Sequence, residues 1–126
     1  MEFVNLFVNL TPHNVTVLTE NGEMNIPSAG VARLQQKEEV CGQLGEIPVV
    51  RTQYGELQLP EGVDITGKHI IVSQLVAQGA ADKLLARGAK SVLVPNTGPT
   101  PNGAVRDEQG RIKGVRSLVL VAGSLE

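Results

Sequence analysis

Three stretches of this sequence carry side chains suited to holding an anion. Ser73-Gln74 opens an apparent helix, where free backbone N–H groups and the helix dipole favour negative charge. Asn96-Thr97-Gly98-Pro99-Thr100 offers an amide, two hydroxyls and a glycine that permits close backbone approach. The segment from Lys83 to Arg116 then supplies seven basic residues against Asp107 and Glu108. Four of the seven are arginines (Arg87, Arg106, Arg111, Arg116), whose planar fork suits phosphate or carboxylate. Each feature also has a plain reading: Ser73 as a helix cap, the loop as a Gly/Pro connection, the charges as a solvated face.

Catalytic sets are harder to assemble. Cys41, His13 and His69 could form a nucleophile–base set or a metal triad, but their spacing matches no metal motif. His13 follows Pro12 in a turn and His69 begins a strand, so surface and cap roles suit both. The chain has no Walker sequence, no GxGxxG and no closely spaced carboxylate pair. No catalytic residue, cofactor or metal is therefore expected.

The elements that must position these residues change character at Gly67. Before it the sequence reads as an antiparallel β-meander. Phe3–Leu10 is followed by a turn at Thr11-Pro12-His13-Asn14, and Val15–Thr19 and Met24–Ile26 flank Asn21-Gly22, a hairpin signal. Val31–Cys41 pairs with Ile47–Thr52 across Gly42–Gly45, and Glu56–Leu59 continues the meander. After Gly67, His69–Val72 is a β-branched run ending at Ser73. A helical period over Gln74–Arg87 is closed by Gly88, and Ser91–Val94 is a second apolar strand. This is a βαβ-like unit with one main helix, about 74–87. Its two strands are parallel if the crossover has the usual hand. Ala104–Glu108 and Arg111–Val121 make a C-terminal hairpin across Gln109-Gly110. The expected fold is α+β, one compact domain over 1–126; the terminal Leu125-Glu126 pair reads as a cloning remnant.

In parallel βα units ligands bind beyond the carboxyl ends of the strands. That places Ser73, Gln74, Asn96, Thr97 and Gly98 on one edge, with Arg106 reaching it from the hairpin. Arg111 and Arg116 are further candidates from the hairpin, and Arg51 and Tyr54 from the meander. A two-residue turn at Gln109-Gly110 would put Asp107 beside Arg116, as an ion pair or as the wall of a polar pocket.

Composition narrows the function classes. The chain has 126 residues, 41% hydrophobic and 19% charged, which excludes a disordered tail, and no apolar run is long enough to span a membrane. One cysteine permits no internal disulfide and fits a reducing cytosol. Phe3, Phe7 and Tyr54 are the only aromatic residues, so a base-stacking nucleic-acid groove is poorly supported. The net charge of −2 conceals a balance of −6 over residues 1–82 and +5 over 83–116.

Several segments resemble a family of short, uncharacterised proteins of bacteriophages and bacterial mobile elements. They are Asn9–His13, Ile26–Arg33, Ile47–Thr52, Tyr54–Glu56, Ile71–Ser73 with Val76-Ala77, and Val105–Glu108 with Gly110–Ile112. This chain departs from the family pattern by inserting Pro101-Asn102-Gly103 before Ala104. The resemblance supplies a context and no activity. By analogy with other small phage proteins, that context implies an anti-defence sponge acting in the host cytosol; an oligomer is expected separately, because a chain this small and poor in aromatics buries limited apolar area and a closed pocket is easier to build between subunits. Such a sponge sequesters a phosphorylated nucleotide-derived signal, a cyclic dinucleotide or an ADP-ribose derivative, without altering it. The alternative is a phage structural, assembly or protein-interaction module with no small-molecule ligand.

Overall fold

A computed structural model describes residues 2–126, with side chains from Val4 onward. It is an α+β fold with one α-helix and ten strands among the described residues. A central four-stranded sheet has the order β1 (Phe7–Asn9), β6 (His69–Ile71), β7 (Ser91–Pro95), β10 (Leu118–Gly123). A second sheet has the order β3 (Gly22–Ile26), β2 (Val15–Thr19), β9 (Ile112–Val115), β8 (Ala104–Arg106). The remaining strands, β4 (Arg33–Leu44) and β5 (Ile47–Gln58), pair only with each other.

The two apolar runs of the sequence follow from the position of the central sheet between two layers. Ile70, Val72, Val92 and Val94 pack against Val76, Ala77, Ala80 and Leu84 of α1 (Gln74–Ala86). Their neighbours Ile71 and Leu93 point the other way, against Val15, Val17, Ile26 and Val115 of the second sheet. A strand buried on both faces has no polar side to show, hence the unbroken His69–Val72 and Ser91–Val94 runs. β6 and β7 pair in parallel with Ile70 opposite Val92.

The helix begins where the Ser73 side chain accepts the Val76 N–H at 3.3 Å. It ends at Arg87, after which Gly88 takes φ 105° and its N–H donates to the Leu85 carbonyl at 3.0 Å. That left-handed residue frees the chain to turn back into β7.

The N-terminal strands do not form one meander. Residues Glu2–Leu6 are a 3-10 helix in place of the start of a strand, and the Phe3 side chain lies outside the described residues. β1 runs parallel to β6, with Val8 opposite Ile70, which lets Val8 pack on the α1 side of the sheet and Phe7 on the other. The hairpin expected around Asn21-Gly22 has Thr19 opposite Gly22, so its turn residues are Glu20 and Asn21.

β4 and β5 are each 12 residues long, and Leu44 faces Ile47 across the two-residue turn Gly45-Glu46. Glu56–Leu59, expected to continue the meander beyond Thr52, belongs to β5 itself, which runs unbroken to Gln58. This ribbon is an arm, anchored at its base by Leu34, Tyr54 and the buried Leu57 beside α1.

The C-terminal hairpin is also divided. β8 pairs with β9 through a five-residue connection, Asp107–Arg111, and then the chain crosses at Arg116-Ser117. β10 pairs antiparallel with β7, Leu120 opposite Leu93. This pairing makes β10 the edge strand of the central sheet and leaves Val119, Leu120 and Val121 exposed.

Candidate functional site

The carboxyl ends of β1, β6 and β7 open into one cleft of about 400 Å³, whose far wall comes from β2 and β9. Thr11 and His13 reach it from the turn after β1, Ser73 from the end of β6, and Pro95 and Thr97 from the end of β7. Ile112, Lys113 and Gly114 of β9 close the opposite side, with Asn14, Val15 and Thr16. Its volume falls within the range typical of small-ligand sites.

The turn after β1 is built on a buried asparagine. Asn9 is 1% exposed, and its amide donates to the His13 carbonyl at 3.0 Å and the Ile26 carbonyl at 2.9 Å. Its Oδ1 accepts the Thr11 N–H at 3.0 Å and the Thr11 hydroxyl at 2.7 Å. Ser28 adds a hydroxyl bond to the Thr11 carbonyl at 2.6 Å, and the Asn14 side chain accepts the Ser28 N–H at 3.1 Å. The segments Asn9–Asn14 and Ile26–Ala29 are thereby locked together, and His13 is held at the cleft.

Of the ten residues expected at the site, Ser73 and Thr97 line the cleft. Gln74 is the exposed first residue of α1. Asn96 and Gly98 organise the loop: the Asn96 amide donates to Ser117 Oγ at 3.0 Å and its Oδ1 accepts the Gly98 N–H at 3.2 Å. The Ser117 hydroxyl donates in turn to the Asn102 carbonyl, so the inserted Pro101-Asn102-Gly103 is tied into the same network.

The arginines are dispersed. Arg106 donates to the Gly110 carbonyl at 2.7 Å and shares a second, more open depression with Asp107, Glu108, Gln109 and Lys113. Lys113 lines both the depression and the cleft. Arg111 and Arg116 are exposed beyond the two ends of β9 and line neither. Arg51 lies on the arm, 3.5 Å from Glu39, and Tyr54 packs at the arm's base.

Asp107 is not placed against Arg116. Its Oδ1 accepts the N–H groups of Gln109 and Arg111, both at 2.9 Å, because a five-residue connection curls back on its own carboxylate.

The sequence reading did not place Thr11, His13 or Lys113 here. A Pro12-His13 turn is an ordinary surface feature, and only the parallel pairing of β1 with β6 brings it beside Ser73.

His69 is distant in role from His13. Its Nδ1 lies 2.6 Å from the buried Ser91 hydroxyl, and Phe7 packs against its ring. Desolvation, with a smaller contribution from the Lys90 charge, lowers its pKa below the usual histidine value. Cys41 is exposed on the arm. Among the described residues no three His, Cys, Asp or Glu side chains are grouped to hold a metal ion. No helix among them is long and apolar enough to cross a membrane.

Comparison of the chain with protein-family models, curated proteins and solved structures finds no match.

Proposed function

We propose that the protein sequesters a phosphorylated, nucleotide-derived small molecule in the cleft without altering it. The observation that carries this reading is the meeting of three parallel strand ends, β1, β6 and β7, at one pocket lined by Thr11, Ser73 and Thr97. Hydroxyls and a helix N-terminus suit phosphate oxygens, and Pro95, Ile112 and Val115 supply an apolar surface for a base or ribose.

Charge sets the scale of the ligand. Lys113 is the one lysine or arginine lining the cleft among the described residues, and His13 is the imidazole that lines it. A single lysine neutralises one phosphate group well and two poorly, so the second charge of a cyclic dinucleotide or an ADP-ribose derivative falls toward Arg106 or a second subunit. In this reading the protein is an oligomeric anti-defence sponge of phage origin, acting in the host cytosol. It uses no membrane and no nucleic-acid partner.

The test is a thermal-shift and calorimetric screen against cyclic dinucleotides, cyclic ADP-ribose isomers and ADP-ribose adducts. The expected result is a raised melting temperature with one of them and recovery of the intact nucleotide after denaturation. Recovery of a cleaved product would make the protein an enzyme. If no compound shifts the melting temperature, the reading falls. The protein is then an interaction or assembly module, a role that the protruding arm favours.

A further inference from the structure

The arm and β10 hold the largest share of the exposed aliphatic side chains, and they lie on different elements of one chain. On the arm, Val40, Leu44 and Ile47 are 64%, 73% and 68% exposed, and Val50 is also exposed. On β10, Val119, Leu120 and Val121 are consecutive and each more than 40% exposed.

Neither element is adequate alone. At roughly 3.3 Å per residue the 12-residue strands make an arm about 40 Å long. A compact domain of this length has a radius of gyration of about 14 Å. The arm therefore projects well beyond its anchor on α1, and a lone two-stranded ribbon is only marginally stable in water. β10 is an edge strand of the central sheet, and Leu118–Gly123 contains no Lys, Glu or Pro to guard its free backbone groups.

We propose that β10 of one copy is covered by the arm of a second copy, exchanged reciprocally across a two-fold axis. Strand pairing satisfies the free edge of β10 and one of the arm's two, and the aliphatic side chains of each cover those of the other. Charge agrees with this choice of occupant. Residues 36–53 carry Glu38, Glu39 and Glu46 against Lys37 and Arg51, whereas β10 is flanked by the exposed Arg116 and Lys90. A net acidic arm thus meets an edge strand flanked by two basic residues of another copy. Size agrees as well: residues 36–53 approach the roughly 20–30 residues that one side of a stable interface contributes. This inference deepens the oligomeric part of the proposed function and does not depend on which ligand the cleft takes.

The experiment uses two variants of the full chain, an arm variant (Leu44→Glu with Ile47→Lys) and an edge variant (Leu120→Lys). Both alter exposed positions, and far-UV circular dichroism checks that each remains folded. Light scattering should find a dimer for the unaltered protein and a monomer for each variant alone. An equimolar mixture should regain dimer, because an intact arm on one subunit meets an intact edge on the other. Coupling a benzophenone to the exposed Cys41 should cross-link it to a peptide containing residues 117–123 of another copy. A monomeric unaltered protein overturns both this inference and the oligomeric reading. A dimer that survives the arm variant, a mixture that stays monomeric, or cross-links only between arms overturns the arm-to-edge pairing alone.

Discussion

The Asn9 amide lies 3.0 Å from the carbonyl oxygen of His13, four residues ahead, and this bond ties the buried end of β1 to the mouth of the cleft. The same side chain holds Thr11 and the Ile26 carbonyl. Leucine at position 9 has similar bulk but removes all four bonds; the Thr11 hydroxyl and the His13 carbonyl keep each other at 2.9 Å, whereas the buried Thr11 N–H loses its side-chain acceptor, a loss of roughly 1–3 kcal/mol per unpaired group. Asn9→Leu should therefore lose about 3–5 kcal/mol in urea unfolding, since the bonds form one network. Thr11→Val should lose only about 1–2 kcal/mol, because the one hydroxyl proton, shared between Asn9 Oδ1 and the His13 carbonyl, is removed while both acceptors keep the bonds that run between Asn9 and its other partners. Equal losses from the two would mean that Asn9 is not the organising group.

A pH effect follows from His69. Its folded pKa lies below the ordinary histidine value of 6.5, through desolvation first and the Lys90 charge second. The unfolded chain therefore takes up the proton at a higher pH than the folded one. The His69 contribution to stability is fully present above about pH 6.5 and declines as pH falls toward the folded pKa. Melting temperature should drop between pH 7 and pH 5, and His69→Asn should flatten that slope. An unchanged slope in His69→Asn would assign the effect to another group.

Local chemistry made part of this molecule readable. Ser73 as a helix cap, Gly88 as a helix stop and the β-branched runs on either side of α1 depend on neighbours a few residues away. Their strands meet in parallel, and the edge beyond them holds the cleft. The arm was less legible, because Gln35 to Glu39 has no buried face and so no alternation to mark its length. The crossing of β10 to the central sheet is hidden for a different reason: Arg111–Val121 reads as one hairpin strand until the open edge of β7 is known. Cleft residues from the turn after β1 and from β9 depend on two other long-range pairings, β1 with β6 and β2 with β9. Thr11 and Lys113 are 102 positions apart and carry no shared motif.

At the base of the arm, Gly79 in the middle of α1 is a site of close approach. A Cβ there would stand 2.6 Å from the Tyr54 ring and 2.5 Å from the Leu34 side chain. Alanine gains about 1 kcal/mol of helix propensity, but overpacking typically costs about 1–3 kcal/mol. The expected balance for Gly79→Ala is a net loss of about 1 kcal/mol, accompanied by faster amide exchange in the Leu34 and Leu57 rungs of the arm. A gain in stability with unchanged exchange would show that the arm is not seated on the helix at this point.

The cleft makes a residue-level prediction that separates it from the dispersed arginines. Lys113 lines the cleft, whereas Arg51 sits on the arm beside Glu39. A charge-assisted bond to phosphate is worth roughly 1.5–3 kcal/mol, so Lys113→Ala should weaken nucleotide binding about ten- to a hundredfold. Arg51→Ala should leave the affinity per subunit unchanged. Arg106→Ala should fall between them, because its guanidinium already serves the Gly110 carbonyl and reaches only the depression next to the cleft. Calorimetry with the compound that gives the largest thermal shift measures all three. An order in which Arg51→Ala costs more than Lys113→Ala would move the site off the carboxyl ends of the parallel strands and onto the arm.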